Sequence, residues 1–135
     1  MMTAIHTLWP TIAALEALLP VARVFTGRVP AGVAFPRAAI TRPGSTGDSR
    51  TNDSLYRTVS IQISVWVKAA AYLAGEAIQE AIEDGFSAQG FSTTAGRALD
   101  VLIENSFSMF EDDPVNPLWQ FVTTLAITEG RSRVQ

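Results

Sequence analysis

Two hydrophobic periods divide this chain. From Leu55 to Val67 apolar and polar residues alternate: Val59, Ile61, Ile63, Val65 and Val67 interleave with Ser60, Gln62, Ser64 and Trp66. A period of two over nine residues predicts a strand with one face on a core and the other largely polar. Residues 69–84 then change to a helical period, with Leu73, Ala77, Ile78, Ala81 and Ile82 as the apolar stripe and Gly85 placed as a C-terminal cap. The opposite side of that helix carries Glu76, Glu80, Glu83 and Asp84. Upstream, Leu8, Ile12, Leu15 and Leu19 predict a helix over residues 8–19, opened around Thr7 and Pro10 and closed by Pro20. Arg23-Val24-Phe25 precedes a turn-rich stretch, and Phe35 to Thr41 reads as a short strand.

Two further strands follow a polar connection that contains glycines. In the first, Leu99, Val101 and Ile103 alternate until Asn105 breaks the pattern, and Phe107 and Met109 resume it; a bulge near Asn105 accounts for the break. Glu111-Asp112-Asp113-Pro114-Val115-Asn116-Pro117 reads as a turn, which makes the last two strands an antiparallel hairpin. Trp119, Phe121, Leu125 and Ile127 share one face of the final strand, and residues 130–135 form a short polar tail. The fold class expected is α+β, a mostly antiparallel sheet with two helices packed on one face, in a single domain spanning residues 1–135. The expected core joins Val59, Ile61, Ile63, Val65, Leu99, Val101, Phe121 and Leu125 to Ile12 and Leu15 of the first helix and Leu73, Ala77 and Ile78 of the second. Residues 42–54, RPGSTGDSRTNDS, hold no large apolar side chain and form a long polar loop, a kind of segment that is usually functional or disordered.

Composition narrows the chemistry. The chain has 135 residues, 47% of them hydrophobic and 17% charged, as in a globular domain. It has no cysteine and one histidine, His6, so thiolate catalysis, cysteine-ligated metals and histidine-rich metal sites drop out. No apolar run reaches the roughly 18–20 residues of a membrane helix, and the N-terminal segment lacks the basic start of a signal peptide. Net charge is −3 and the isoelectric point about 5.0, which argues against a dedicated nucleic-acid binder. The charge is uneven. Residues 1–57 carry six arginines against three acids, or +3, and residues 58–135 carry four basic residues against ten acids, or −6. Such a division favours head-to-tail contact between copies, unless the folded surface mixes the halves.

No catalytic constellation emerges. Gly44-Ser45-Thr46-Gly47 lacks the strand–turn–helix setting of a nucleophile elbow. Glu111-Asp112-Asp113 has oxygen ligands for a divalent cation, but consecutive acids at a turn are more simply solvated. The acids of the second helix either face water or meet arginines of a neighbouring subunit. Trp9 reads as a partly buried edge residue without a role, Trp119 as core, and Trp66, on the mostly polar strand face, as a cover for the sheet or an interface residue. Arg42, Arg50 and Arg57 bracket the polar loop and serve either phosphate contact or solubility.

Several segments together resemble one family. They are the helix IAALEALLP, the Arg-Val-Phe strand with its Gly-Arg-Val-Pro turn, and AFPRAAI over Ala34–Ile40. After the glycine-rich polar loop come VSIQISVWVK running into AAAYLAGEAIQEAIEDGF, and the acidic turn leading to a Trp/Phe strand. This layout resembles the tail-completion, or tail terminator, proteins of long-tailed bacteriophages and gene transfer agents, over nearly the whole chain; the long polar loop departs from the family pattern. The resemblance implies a structural virion component and no enzyme, needing no cofactor. It implies a homo-oligomeric ring, typically a hexamer, that caps the tail tube, stops its polymerisation and joins the tail to the head. Its partners would be itself, the tail tube protein and a head-side neck or connector protein, with DNA only passing through the ring lumen and no membrane involved. Assembly would take place in the cytoplasm of a bacterial host, and the protein would reside in the tail–neck region of the particle. The alternatives are another neck or minor tail protein, or a small metal-dependent enzyme. Within the ring reading, the candidate interface residues are Arg50, Arg57, Trp66, Glu76, Glu80 and Glu83, with the glutamates near arginines of the adjacent subunit.

Overall fold

The computed structural model describes residues 1–43, 56–87, 91–92 and 96–131, and of residues 56–57, 91–92, 96–99 and 131 the backbone alone. Most of the expected polar loop, residues 44–54, and the end of the tail, residues 132–135, therefore lie outside the described residues.

The chain opens with helix α1 (Met2–Leu8), a 3-10 turn (Trp9–Thr11) and helix α2 (Ala13–Leu18). The sequence pattern predicts one helix over 8–19; the structure begins six residues earlier and breaks in the middle. Pro10 is the cause. It has no N–H to give and its ring crowds the preceding turn, so the helix cannot run through it. Ile12 turns extended (φ −88°, ψ 93°) and opens α2. Trp9 is also not an edge residue. It is fully buried, its indole Nε1 donates to the Leu19 carbonyl at 2.8 Å, and its ring packs on Phe86 with centroids 5.9 Å apart. That hydrogen bond satisfies a carbonyl just past the end of α2.

A second 3-10 turn (Val21–Arg23) leads into strand β1 (Val24–Thr26), followed by β2 (Arg37–Thr41) and β3 (Tyr56–Lys68). Between β1 and β2 the chain turns through Gly27 and Gly32, both at φ near +85°, where a side chain would be strained. A 3-10 turn at Ala69–Ala71 opens α3 (Tyr72–Ser87), and β4 (Phe91–Ser92), β5 (Gly96–Glu111) and β6 (Leu118–Arg131) complete the chain. The order across the sheet is β1-β2-β3-β6-β5-β4. The β1–β2 pair is parallel and every other pair antiparallel, so the sheet is mixed but mostly antiparallel.

All helices lie on one face. There Val59, Ile61, Ile63, Val65 and Val67 of β3, Phe121, Leu125 and Ile127 of β6, and Val101 of β5 meet Ile5, Trp9, Leu15, Leu19, Ile78, Ile82 and Phe86. The α3 stripe differs from the expected one. Its buried positions are Gly75, Ile78, Ile82 and Phe86, while Leu73 is 78% exposed. Gly85 does not end the helix, which continues to Ser87. It allows close packing instead: a Cβ at Gly85 would sit 2.7 Å from Ile12 Cγ2. The expected bulge is present as a register shift between Ile103 and Asn105, and a second shift separates Ala98 from Asp100.

Candidate subunit interface

The shift at Asn105 exchanges the faces of β5. Before it, Val101 and Ile103 pair with Ile127 and Leu125 of the core face; after it, Phe107 and Met109 pair with Val122 and Gln120 on the opposite, helix-free face. A one-residue slip reverses side-chain direction by the strict period of two. Leu102, paired with Ala126, shares the helix-free face with Phe107 and Met109. Eight large hydrophobic side chains are exposed among the described residues, and five of them stand on β5: Leu102, Ile103, Phe107, Met109 and Phe110. β4 covers only Arg97 and Ala98, so among the described residues the edge of β5 from Asp100 to Glu111 has no strand beside it. Apolar side chains along an open strand edge mark a surface that another chain is built to cover.

Polar side chains hold β5 from the helix side. The Gln79 amide donates to the carbonyls of Phe107 (3.3 Å) and Val122 (3.2 Å) and to Thr123 Oγ1 (3.3 Å). Glu83 Oε1 accepts the Ser106 hydroxyl at 2.6 Å. Across the helix-free face Ser60 Oγ donates to Glu104 at 3.4 Å, and Trp66 Nε1 donates to Glu111 at 3.4 Å.

The sequence-derived candidates fall in different places. Trp66 is half-buried on the helix-free face and helps line a pocket of about 270 Å³ with Gly27, Arg28, Val29, Arg37 and Ala39. Glu76 and Glu80 are exposed on α3. Glu80 and Asp84 border a groove of about 550 Å³ between α2 and α3, whereas Glu83 turns to the other flank, toward β5. The acids therefore do not form one face. Arg57 occupies the central strand β3, opposite Glu129, and Arg50 lies outside the described residues. In the acidic turn, Asp113 Oδ1 accepts the backbone N–H of Val115 at 2.8 Å and of Asn116 at 3.4 Å, so this carboxylate shapes the turn. No group of three or more potential metal-ligating side chains occurs among the described residues.

The β5 surface was missed in the sequence, yet a signal was there. Val101-Leu102-Ile103 is apolar at three consecutive positions. Consecutive apolar residues in a strand mean that both faces are covered, and here the folded subunit covers only one.

Residues 3–128 match the profile described as Tail completion protein gp17. The chain belongs to this family. A tail completion protein is a structural component of a virion tail, and the resemblance seen in the sequence holds at that level. The fold is similar to that of a chain from the virion of a native gene transfer agent (GTA) particle. The TM-score is 0.78 and the identity 18%, over 96% of this chain and 95% of that one. A sequence comparison with curated proteins gives no match. No described helix is long and apolar enough to cross a membrane.

Proposed function

We propose that this tail completion protein assembles as a homo-oligomeric ring, a hexamer in the simplest case, on the end of the tail tube. The ring stops addition of further tube subunits and presents a different face to a head-side neck or connector protein, with DNA passing through its lumen. The observation that carries the reading is the membership of the tail completion family over residues 3–128. The uncovered apolar strand β5 supports it, because a subunit that works alone has no use for such an edge. The mechanism is geometric. A closed ring needs a heterologous contact whose rotation returns to its start, and such a ring differs on its two sides. One side can match the last layer of the tube while the other offers nothing for a tube subunit to bind.

Tube polymerisation tests this. Tail tube protein alone should grow tubes of indefinite length by electron microscopy. Added protein should arrest growth and appear as one extra ring at one tube end. Unchanged growth, with the protein remaining monomeric by native mass spectrometry, would overturn the reading.

A further inference from the structure

The sheet has two edges of opposite character. Residues 17–43, which build β1, β2 and their connection, contain Arg23, Arg28, Arg37 and Arg42 and no acid. Residues 98–117, which build most of β5 and its turn, contain Asp100, Glu104, Glu111, Asp112 and Asp113 and no basic residue. Those five acids are exposed, as are Arg28 and Arg42. β1 begins one end of the strand order and β5, with the two-residue β4, ends it. Among the described residues, arginines therefore lie toward the β1–β2 side of the sheet and acids along β5 and its turn, across the width of the sheet.

Each edge also has an apolar feature at the same height along the strands. Arg37 pairs with Trp66, Trp66 with Gln120, and Gln120 with Met109, so one cross-strand row joins the pocket near β1 to the exposed apolar part of β5. The pocket, at about 270 Å³, is at the small end of the ~300–1,000 Å³ of small-molecule sites and has room for a side chain such as methionine. Directions agree as well: β1 runs parallel to β2, and three antiparallel steps separate β2 from β5, so β1 and β5 run oppositely. Rotation about an axis along the strands preserves both height and direction. It brings β5 of one copy antiparallel to β1 of the next, with Met109 at the level of the neighbour's pocket.

We propose that the occupant of the β5 edge is the β1–β2 edge of a second copy of this chain. Met109 of one subunit enters the pocket bordered by Arg28 and Trp66 of the next, and Glu104 and Glu111 exchange their long, exposed contacts to Ser60 and Trp66 of their own subunit for the arginines of the neighbour's β1–β2 flank. The alternative pairing, β5 against β5, sets like charges opposite each other and is disfavoured. This contact rests on the ring reading above and specifies which surfaces make the ring.

The absence of cysteine allows a clean test. Met109→Cys and Arg28→Cys are introduced together and singly, and assemblies formed with tail tube protein are treated with a short bismaleimide. The proposal expects a ladder up to the closed ring for the double variant and monomer for each single one. A cross-linked dimer from Met109→Cys alone would show an edge-to-itself contact and overturn it. Charge reversal provides a second arm. Glu104→Arg with Glu111→Arg should raise the concentration needed for assembly at least about tenfold, and Arg28→Glu with Arg42→Glu on the same chain should recover most of it. Glu80→Arg, on the α2–α3 side, should leave assembly as in the parent; if it alone weakens assembly, the arginines meet α3 and not β5. Rings that form normally in every variant without cross-links would reject this contact but keep the ring. Parent protein that never assembles would remove both.

Discussion

Trp9 and Gly75 show how single positions decide packing in this small core. Trp9 combines a large buried ring with one donor that ends on the Leu19 carbonyl. Trp9→Phe keeps much of the volume and leaves that carbonyl unsatisfied, an expected loss of about 1–3 kcal/mol in urea unfolding with the slope unchanged. Two glycines of α3 should respond to the same substitution by different amounts. Alanine is preferred to glycine by roughly 0.5–1 kcal/mol inside a helix. At Gly75, however, the added Cβ would overlap the edge of the Phe121 ring, which packs on Tyr72. Gly75→Ala should therefore destabilise by about 1–3 kcal/mol, as overpacked cores do. At Gly85 the atom in the way is Ile12 Cγ2, on a half-buried side chain at the break between α1 and α2. That methyl sits directly on the β-carbon and moves only with the whole side chain, so Gly85→Ala should also destabilise, by less than Gly75→Ala because Ile12 is half-buried and Phe121 is not. Thermal melts of the two variants check the order.

At the level of elements, β5 is attached in a different way from the rest of the sheet. β3 fixes itself by five apolar side chains on the core, whereas β5 contributes Val101 and is otherwise held by its ladder to β6 and by Gln79 and Glu83. Gln79→Ala removes the amide that α3 shares between the Phe107 carbonyl of β5 and Val122 and Thr123 of β6, without touching the apolar core. The amides of 100–111 should then exchange faster with solvent, while those of β3 keep their protection. The same contrast explains what the sequence disclosed. The long strands, the bulge at Asn105 and the mostly antiparallel α+β class are all readable, because a period of two and its interruption are local facts. The helix boundaries were misplaced where one residue had two meanings: Pro10 read as a start but is a break, and Gly85 read as a cap but is a close contact. Leu73 looked like core because it is apolar, and only the angle it takes on α3 puts it in water. The parallel β1–β2 pair depends on a crossover that no local pattern records, and of the candidate interface residues whose side chains are described Trp66 alone lines the pocket at the β1–β2 edge.

For the whole molecule, the weight of the argument falls on a sheet with a basic edge and an acidic edge in a protein of net charge −3. Net like charge repels two copies at long range, and opposed edges attract them only when correctly turned. Association between polarised subunits is therefore steered: orientation by charge precedes contact by apolar surface. The two contributions separate by salt. Ions shorten the Debye length from about 10 Å at 0.1 M to about 3 Å at 1 M, which cancels steering but leaves the burial of Leu102, Phe107 and Met109 intact. Exposed ion pairs are individually worth about 0–1 kcal/mol, so their loss should not dissolve a formed ring. The expectation is an association rate, followed by light scattering after mixing, that falls by about tenfold or more between low and high salt. The mass of preformed rings by sedimentation should stay the same over that range. Met109→Ala should reverse the pattern, with dissociation accelerated and the rate of encounter little altered, because interface truncations act mainly on the off-rate. Rings that fall apart in salt while Met109→Ala assembles as tightly as the parent would place the binding energy in the charges and not in the β5 surface.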